Sequence, residues 1–316
     1  MKNKYIFTTL FALFTIMASS CQTRSAQTTA QKEITLEDSA ETNSNSDISD
    51  ASVPAEDNNA STETDAPITS EVSAAFMEEQ TLLEYEGLSL KALSWDPDTA
   101  NLIIQAQNSS AQEYTIQFSD TSVNNYMVEP NFSMNVKADA QAEKNAEFSL
   151  DDFDSCGIEE ATQIQTKILL LDSVSFDTIY TSDYITIQTS DSNRQQVYDE
   201  SGDILYDQDG LKLISKGFVD DPEWGKLWKI YISNDTDRDL CIYSPDVTLN
   251  DHTMDVIFSA TVPVGKKAVS SMTVFQSDLD NYQINEITSA RFTLHLKNPA
   301  TFETIQTIDN ISLGNQ

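Results

Sequence analysis

The chain has 316 residues, with 51 acidic side chains against 18 basic ones and a formal net charge of −33. A field of one sign at that strength excludes a nucleic-acid binder, whose partner's phosphates need Lys and Arg, and opposes docking on anionic lipid head groups; its general physical effect is solubility. Three cysteines and two histidines leave little material for a disulfide scaffold or for nucleophilic catalysis.

Lys2 and Lys4 form a basic start, and Tyr5 to Met17 is an apolar run interrupted only by Thr. The run has the length of a secretory apolar region and falls short of the roughly twenty residues a spanning helix needs. Ala18-Ser19-Ser20-Cys21 follows. Small residues directly before a Cys resemble the bacterial lipobox, in which cleavage before the Cys is followed by attachment of diacylglycerol to its thiol. Ala18 stands where that motif usually has Leu. The resemblance implies a signal peptide over 1–20 and a mature chain that begins at lipidated Cys21, held at a membrane by that anchor. The plainer alternative is an ordinary small-residue cleavage site with Cys21 incidental.

Residues 21–80 are rich in Ser, Thr, Ala, Asn, Gln, Asp and Glu, and Ile34, Leu36, Ile48, Val53 and Ile68 stand alone among them. Such a stretch cannot bury enough apolar surface to offset chain entropy, so it reads as a disordered acidic tether, extended by self-repulsion. At its end, Val72, Phe76 and Leu83 fall at helical spacing, which predicts one or two helical turns leading into the folded part.

The rest of the chain is a duplication. Residues 158–187 recur as residues 284–313 at a constant offset of 126, matching at Glu160/Glu286, Thr162/Thr288, Phe176/Phe302, Ile179/Ile305 and Asp183/Asp309. Internal repetition over this length marks a repeated folding unit. Copy one is assigned to 81–190 and copy two to 207–316. Both open alike, as EGLSLKAL at Glu86 and DGLKLISK at Asp209, and both reach a strand ending in Asn, at Asn108 and Asn234. Polar turns containing Asn124 and Asn250 follow. SLDDFDSCGI and QSDLDNYQI read as a helical turn crossing between sheets. In the closing hairpin Phe292, Leu294 and Leu296 alternate with Arg291, Thr293, His295 and Lys297, a strand with one face on a core and one in water. The fold class is therefore all-β, with two tandem immunoglobulin-like β-sandwich domains after the tether. Residues 191–206 read as a polar linker that permits hinge motion of limited range.

Chemistry is sparse. Cys156 and Cys241 occupy unrelated places in the two copies and read as buried thiols. His252 lies in an Asn-Asp-His turn, and His295 faces outward. No nucleophile elbow, zinc helix, paired CxxC or glycine-rich phosphate loop is present, and the Glu159-Glu160 pair is expected by chance in so acidic a chain. Asp235-Thr236-Asp237-Arg238-Asp239 carries alternate carboxylates, as a Ca²⁺ loop does. But Arg238 intrudes and copy one has SSAQE there, which favours a solvated turn. No catalytic residue, metal site or cofactor is assigned, and the chain is read as a non-enzyme.

This layout of signal, acidic tether and two sandwiches resembles the immunoglobulin-like lipoproteins of Gram-positive bacteria, some of which are called immunoprotective extracellular domains. The resemblance implies extracytoplasmic display and supplies no catalytic residues. Two functions are expected from different classes: a non-catalytic binding module for a protein, peptide or glycan, or a structural spacer or accessory subunit of a membrane-associated assembly. One residue is singled out for a partner. Both copies carry an Asp-Pro turn after an early strand, at Asp96-Pro97 and Asp221-Pro222, and the second loop reads as the longer. It places Trp224 beside Gly225 with no apolar neighbour in the loop, whereas Trp228 replaces Leu102 of copy one and reads as core. A loop Trp with open faces is a favoured anchor for a partner; the alternative is that Trp224 folds back as a lid on the sandwich edge.

Overall fold

A computed structural model of the protein describes residues 77–190 and 193–313. The expected signal peptide, Cys21 and almost all of the tether lie outside the described residues, as does the first part of the apolar run that begins at Val72.

Copy one contains β1 (Gln80–Tyr85), β2 (Leu88–Asp96), β3 (Asn101–Asn108), β4 (Tyr114–Val123), β5 (Tyr126–Met127), β6 (Ser133–Val136), β7 (Ala140–Glu147), α1 (Leu150–Cys156), β8 (Gln163–Asp172), β9 (Thr178–Thr181) and β10 (Ile185–Gln188). Copy two repeats the series as β11 (Asp203–Gln208), β12 (Leu211–Asp221), β13 (Gly225–Asn234), β14 (Leu240–Tyr243), β15 (Asp246–Leu249), β16 (His252–Ile257), β17 (Ser259–Val262), β18 (Lys267–Phe275), α2 (Gln276–Asn281), β19 (Ala290–Lys297) and β20 (Thr304–Leu313). The all-β reading with two tandem sandwiches is what the structure shows.

In each copy one sheet carries four strands in the same order, β1-β2-β3-β7 in the first and β11-β12-β13-β18 in the second. The facing sheet is built on β4 and β8 in copy one and on β14, β15 and β19 in copy two. Period-two alternation fixes which side of each strand is buried. Leu102, Ile104 and Ala106 of β3 point into the first core, and Phe292, Leu294 and Leu296 of β19 point into the second. Each fully buried Leu, Ile or Phe contributes about 1.5–3 kcal/mol through burial of apolar area.

The duplication extends to irregularities. A register slip between Thr81 and Leu83 recurs between Ile204 and Tyr206, and one between Ala92 and Ser94 recurs between Ser215 and Gly217. These are bulges, which bend the strand and increase its twist. They sit at an offset of 123, not 126. The difference lies in one hairpin: β12 and β13 have 11 and 10 residues where β2 and β3 have 9 and 8. The connection itself is shorter in copy two, because Asp221 pairs with Gly225 whereas Asp96 pairs with Asn101. The expectation of a longer second loop is thus corrected: the added residues lengthen the arms.

Two further expectations change. Residues 80–85 are strand, not helix, since β1 pairs along β2 and sheet pairing overrides a helical spacing of three apolar residues. The linker does not act as a free hinge. Its end is β11, paired with β12, and its middle is bound to the junction between the sandwiches. The Tyr198 hydroxyl donates to the Asn124 carbonyl at 3.1 Å, Gln196 Nε2 donates to the Gly157 carbonyl at 3.0 Å, and Arg194 pairs with Glu159. Lys267 lies 4.6 Å above the Tyr198 ring. Tyr126 packs edge-on against Tyr198 and Tyr231, at 5.4 and 6.3 Å between centroids. Ile214 and Tyr231, from copy two, belong to the first core. One parallel bridge, Lys267 to Tyr126, joins β18 to β5.

Beside that bridge Lys266 is buried and donates to Asn125 Oδ1 at 3.0 Å and to Gln165 Oε1. Burial and the adjacent Lys267 push its ammonium down to about 8. The crossing turns are α1 and α2. Ser149 caps α1 by accepting from the Asp152 N–H at 3.2 Å, and Gly157 ends it in the left-handed region at φ 62°. Cys156 and Cys241 are both buried, and desolvation pushes the Cys156 thiol up to about 12, which keeps it inert.

Candidate functional site

The three tryptophans are placed differently. Trp95 is 6% exposed and packs on Phe148 and Phe153, at 5.7 and 6.3 Å between ring centroids. Trp228 is 0% exposed, donates from Nε1 to Ser215 Oγ at 2.8 Å, and is stacked on Phe218 at 5.0 Å. Trp224 is 44% exposed.

The backbone around Trp224 is fixed. Asp221 Oδ1 accepts from the N–H groups of Glu223 and Trp224, both at 2.9 Å, closing the turn with its own side chain. The Trp224 carbonyl accepts from the Gln276 N–H at 2.8 Å, where β18 gives way to α2. Gly225 makes this approach feasible: its φ is +123°, and a Cβ there would lie 2.4 Å from Gln276 N and 2.7 Å from the Val274 carbonyl oxygen. The Trp224 ring rests edge-on against Phe275 at 6.3 Å. Trp224 therefore has an apolar neighbour after all, supplied by a strand far along the chain, and it stays partly open.

Next to this rim, between the end of the β12–β13 arm and α2, lies an open cleft of about 520 Å³. Leu279 and Ile284 form its apolar wall, and Asp220, Lys226, Gln276, Asp280, Gln283 and Asn285 its polar one. Lys226 is paired with Asp220, and Gln276 Nε2 donates to Asp280 Oδ1 at 2.8 Å. The duplication explains the cleft. At the matching end of copy one, Trp95, Phe148 and Phe153 pack as a set of rings. Copy two has Phe218, Val274 and Leu279 at those places, and Phe218 is stacked on Trp228. Less side-chain volume remains to cover α2, and the cleft is what is left.

Other sequence candidates are dispersed. The His252 ring is stacked on Tyr282 at 4.5 Å, while His295 Nδ1 lies 3.3 Å from Thr307 Oγ1 on a different strand pair. In the DTDRD turn Asp235 accepts from Ser233 Oγ, Asp237 pairs with Arg238, and Asp239 accepts from the Val264 N–H. Each carboxylate is engaged elsewhere. Among the described residues no group of His, Cys, Asp and Glu is arranged to hold a metal ion. Phe176 and Phe302 occupy the same hairpin tip in each copy, 58% and 41% exposed, at φ 61° and 58°.

One group has no sequence signature. Glu129 Oε1 accepts from the Thr121 N–H at 2.7 Å, and burial pushes its carboxyl up to about 7, with Asp120 adding to the shift. Nearby, Asp120 pairs with Lys167 at 2.8 Å, and Lys167 lies 4.5 Å over the Tyr184 ring. Because the folded carboxyl holds its proton more tightly than an ordinary one at 4.5, its stabilising effect is fully present below pH 4.5 and is lost as pH rises through 7. Glu129→Gln is expected to raise unfolding free energy by about 2 kcal/mol at pH 8 and to change it little at pH 4. Urea titrations at the two pH values check this. An equal effect at both would show that the carboxyl is not perturbed by folding.

No protein-family model matches the chain, and no curated protein matches it by sequence. Solved structures do match. The chain is similar to the YadV chaperone at 9% identity, over 72% of this chain and 98% of that one, with a TM-score of 0.24. It is similar to a chain of the Salmonella enterica SafA pilin–SafB chaperone complex at 9% identity, over 72% and 98%, with a TM-score of 0.20. It is also similar to an Amycolatopsis orientalis exo-chitosanase, CsxA, at 13% identity, over 71% of this chain and 26% of the enzyme, with a TM-score of 0.23. These likenesses are compatible with an immunoglobulin-like, β-rich chain and extend no further.

Proposed function

We propose that the protein is a membrane-anchored, surface-exposed lipoprotein of the Gram-positive type, held through Cys21, whose second sandwich serves as a non-catalytic binding module for a protein, peptide or glycan. One observation carries the binding reading: the two copies diverge where copy two leaves a cleft open and sets a half-exposed Trp on its rim, fixed by Asp221 and Gly225. Rigid aromatic anchors beside a concave surface are the usual energetic centres of recognition. The second reading, a spacer or accessory subunit, is favoured by the tightly bound junction at Tyr198 and Lys266, which stiffens the pair of sandwiches.

Labelled palmitate fed to cells should tag the wild type and leave Cys21→Ser untagged; equal tagging removes the anchor. In the lipidated full chain, a photo-reactive residue at position 283 should yield a defined adduct on intact cells that disappears with Trp224→Ala. Adducts that persist unchanged in that variant would favour the spacer.

A further inference from the structure

We propose that the cleft beside Trp224 takes a basic peptide segment, with a Lys ammonium or Arg guanidinium placed over the Trp224 face and countered by Asp280. This rests on the binding reading above and adds the class of ligand.

Three observations point to a cation. Acidic groups surround the rim: Asp220 and Asp280 line the cleft, Asp221 and Glu223 flank Trp224, and Asp278 shares the helix with Asp280. The basic residue in the lining, Lys226, is already held by Asp220. Asp280 gives Oδ1 to Gln276, which orients the carboxylate and turns its second oxygen to a ligand. Trp224, braced by Phe275, offers the aromatic surface that attracts cations most strongly.

The walls then select a peptide. Leu279 and Ile284 suit the aliphatic stem of a Lys or Arg side chain, which buries its methylenes while its head stays polar. Gln283 and Asn285 present amides that can both donate to and accept from a peptide backbone. A neutral saccharide would stack on Trp224 as well but would gain nothing from the acidic rim. At a net charge of −33 the whole molecule concentrates cationic partners at its surface and speeds their arrival.

The test uses the full chain and end-capped peptides of alternating lysine and leucine. Because Trp95 and Trp228 are buried, acrylamide-quenchable emission belongs to Trp224. The lysine peptide should protect it, and the same peptide with acetylated lysines should bind about tenfold more weakly. Anisotropy of a fluorescein-labelled lysine peptide should show about fivefold weaker binding to Asp280→Asn and loss of binding to Trp224→Ala, with Asp309→Asn, a remote acid, unchanged. Equal binding of the acetylated peptide overturns the inference and leaves the binding module standing. So does protection by a tetramer of N-acetylglucosamine where the lysine peptide gives none. If neither the peptides nor the sugar protects Trp224, the inference and the binding reading fail together.

Discussion

Asn124→Ala is expected to destabilise the protein by about 3–4 kcal/mol, because one side chain closes a hairpin, ties two strands and holds the linker. Asn124 Oδ1 accepts from the Thr162 N–H and Oγ1, both at 2.9 Å, and from the Gln163 N–H at 3.2 Å. Its Nδ2 donates to the Glu160 carbonyl at 2.7 Å and to Gln196 Oε1 at 3.2 Å. Its backbone also needs positive φ, at 49°, followed by Asn125 at 69°, the pair of conformations of a two-residue hairpin turn that Asn tolerates and Ala does not. Asn250 repeats the pattern with Thr288, Ser289 and Glu286. It lies in a more exposed setting and has no counterpart to Gln196, so Asn250→Ala should cost about 2 kcal/mol. Urea unfolding of the two variants gives the comparison. A larger loss at Asn250 would mean that the linker contributes nothing at Asn124.

Gly225→Ala should cost about 3 kcal/mol, and its damage should be local to the Trp224 rim. The new Cβ meets backbone atoms at 2.4 and 2.7 Å, so the strand end and α2 must move apart and the Trp224–Gln276 hydrogen bond must lengthen or break. Gly217 supplies the control. Its φ is +90°, but a methyl at that position would meet nothing within 4 Å, and Gly217→Ala should cost about 1 kcal/mol from backbone strain alone. Thermal melts rank the two, and acrylamide quenching should rise only in the Gly225 variant. Equal penalties would show that the close approach at Gly225 does not exist in solution.

The fold was legible because duplication and alternation are local properties of a sequence. Phe292, Leu294 and Leu296 announce their face without help from any other segment, and the matches at offset 126 locate the second sandwich from the first. The first strand was misread from Val72, Phe76 and Leu83, although the stronger signal lay just beyond it. Glu86-Gly87 and Asp209-Gly210 both adopt positive φ as two-residue hairpin turns, and such acidic-Gly pairs between apolar runs mark a hairpin. Trp224 could be singled out by elimination, but its brace, Phe275, is fifty-one positions away in the chain. The cleft itself arises from what copy two lacks at Val274 and Leu279 relative to copy one. Glu129 left no trace, because its perturbation comes from surroundings assembled by several strands. The linker misled for the opposite reason: its polar composition suits solvent, yet the Tyr198 hydroxyl and ring serve the junction equally well.

The membership of Ile214 and Tyr231 in the first core bears on the order of events during synthesis. Copy one is complete as a sequence near residue 190, but the surface formed by Tyr126, Cys156 and Ile158 is not covered until Tyr231 has been made. At 5–20 residues per second that interval is roughly 2–8 s, long compared with the collapse of a chain of this size. For those seconds the nascent protein carries a nearly finished sandwich with one apolar end bare, and the crowding of neighbouring copies on one messenger, more than the stability of the finished fold, sets its yield.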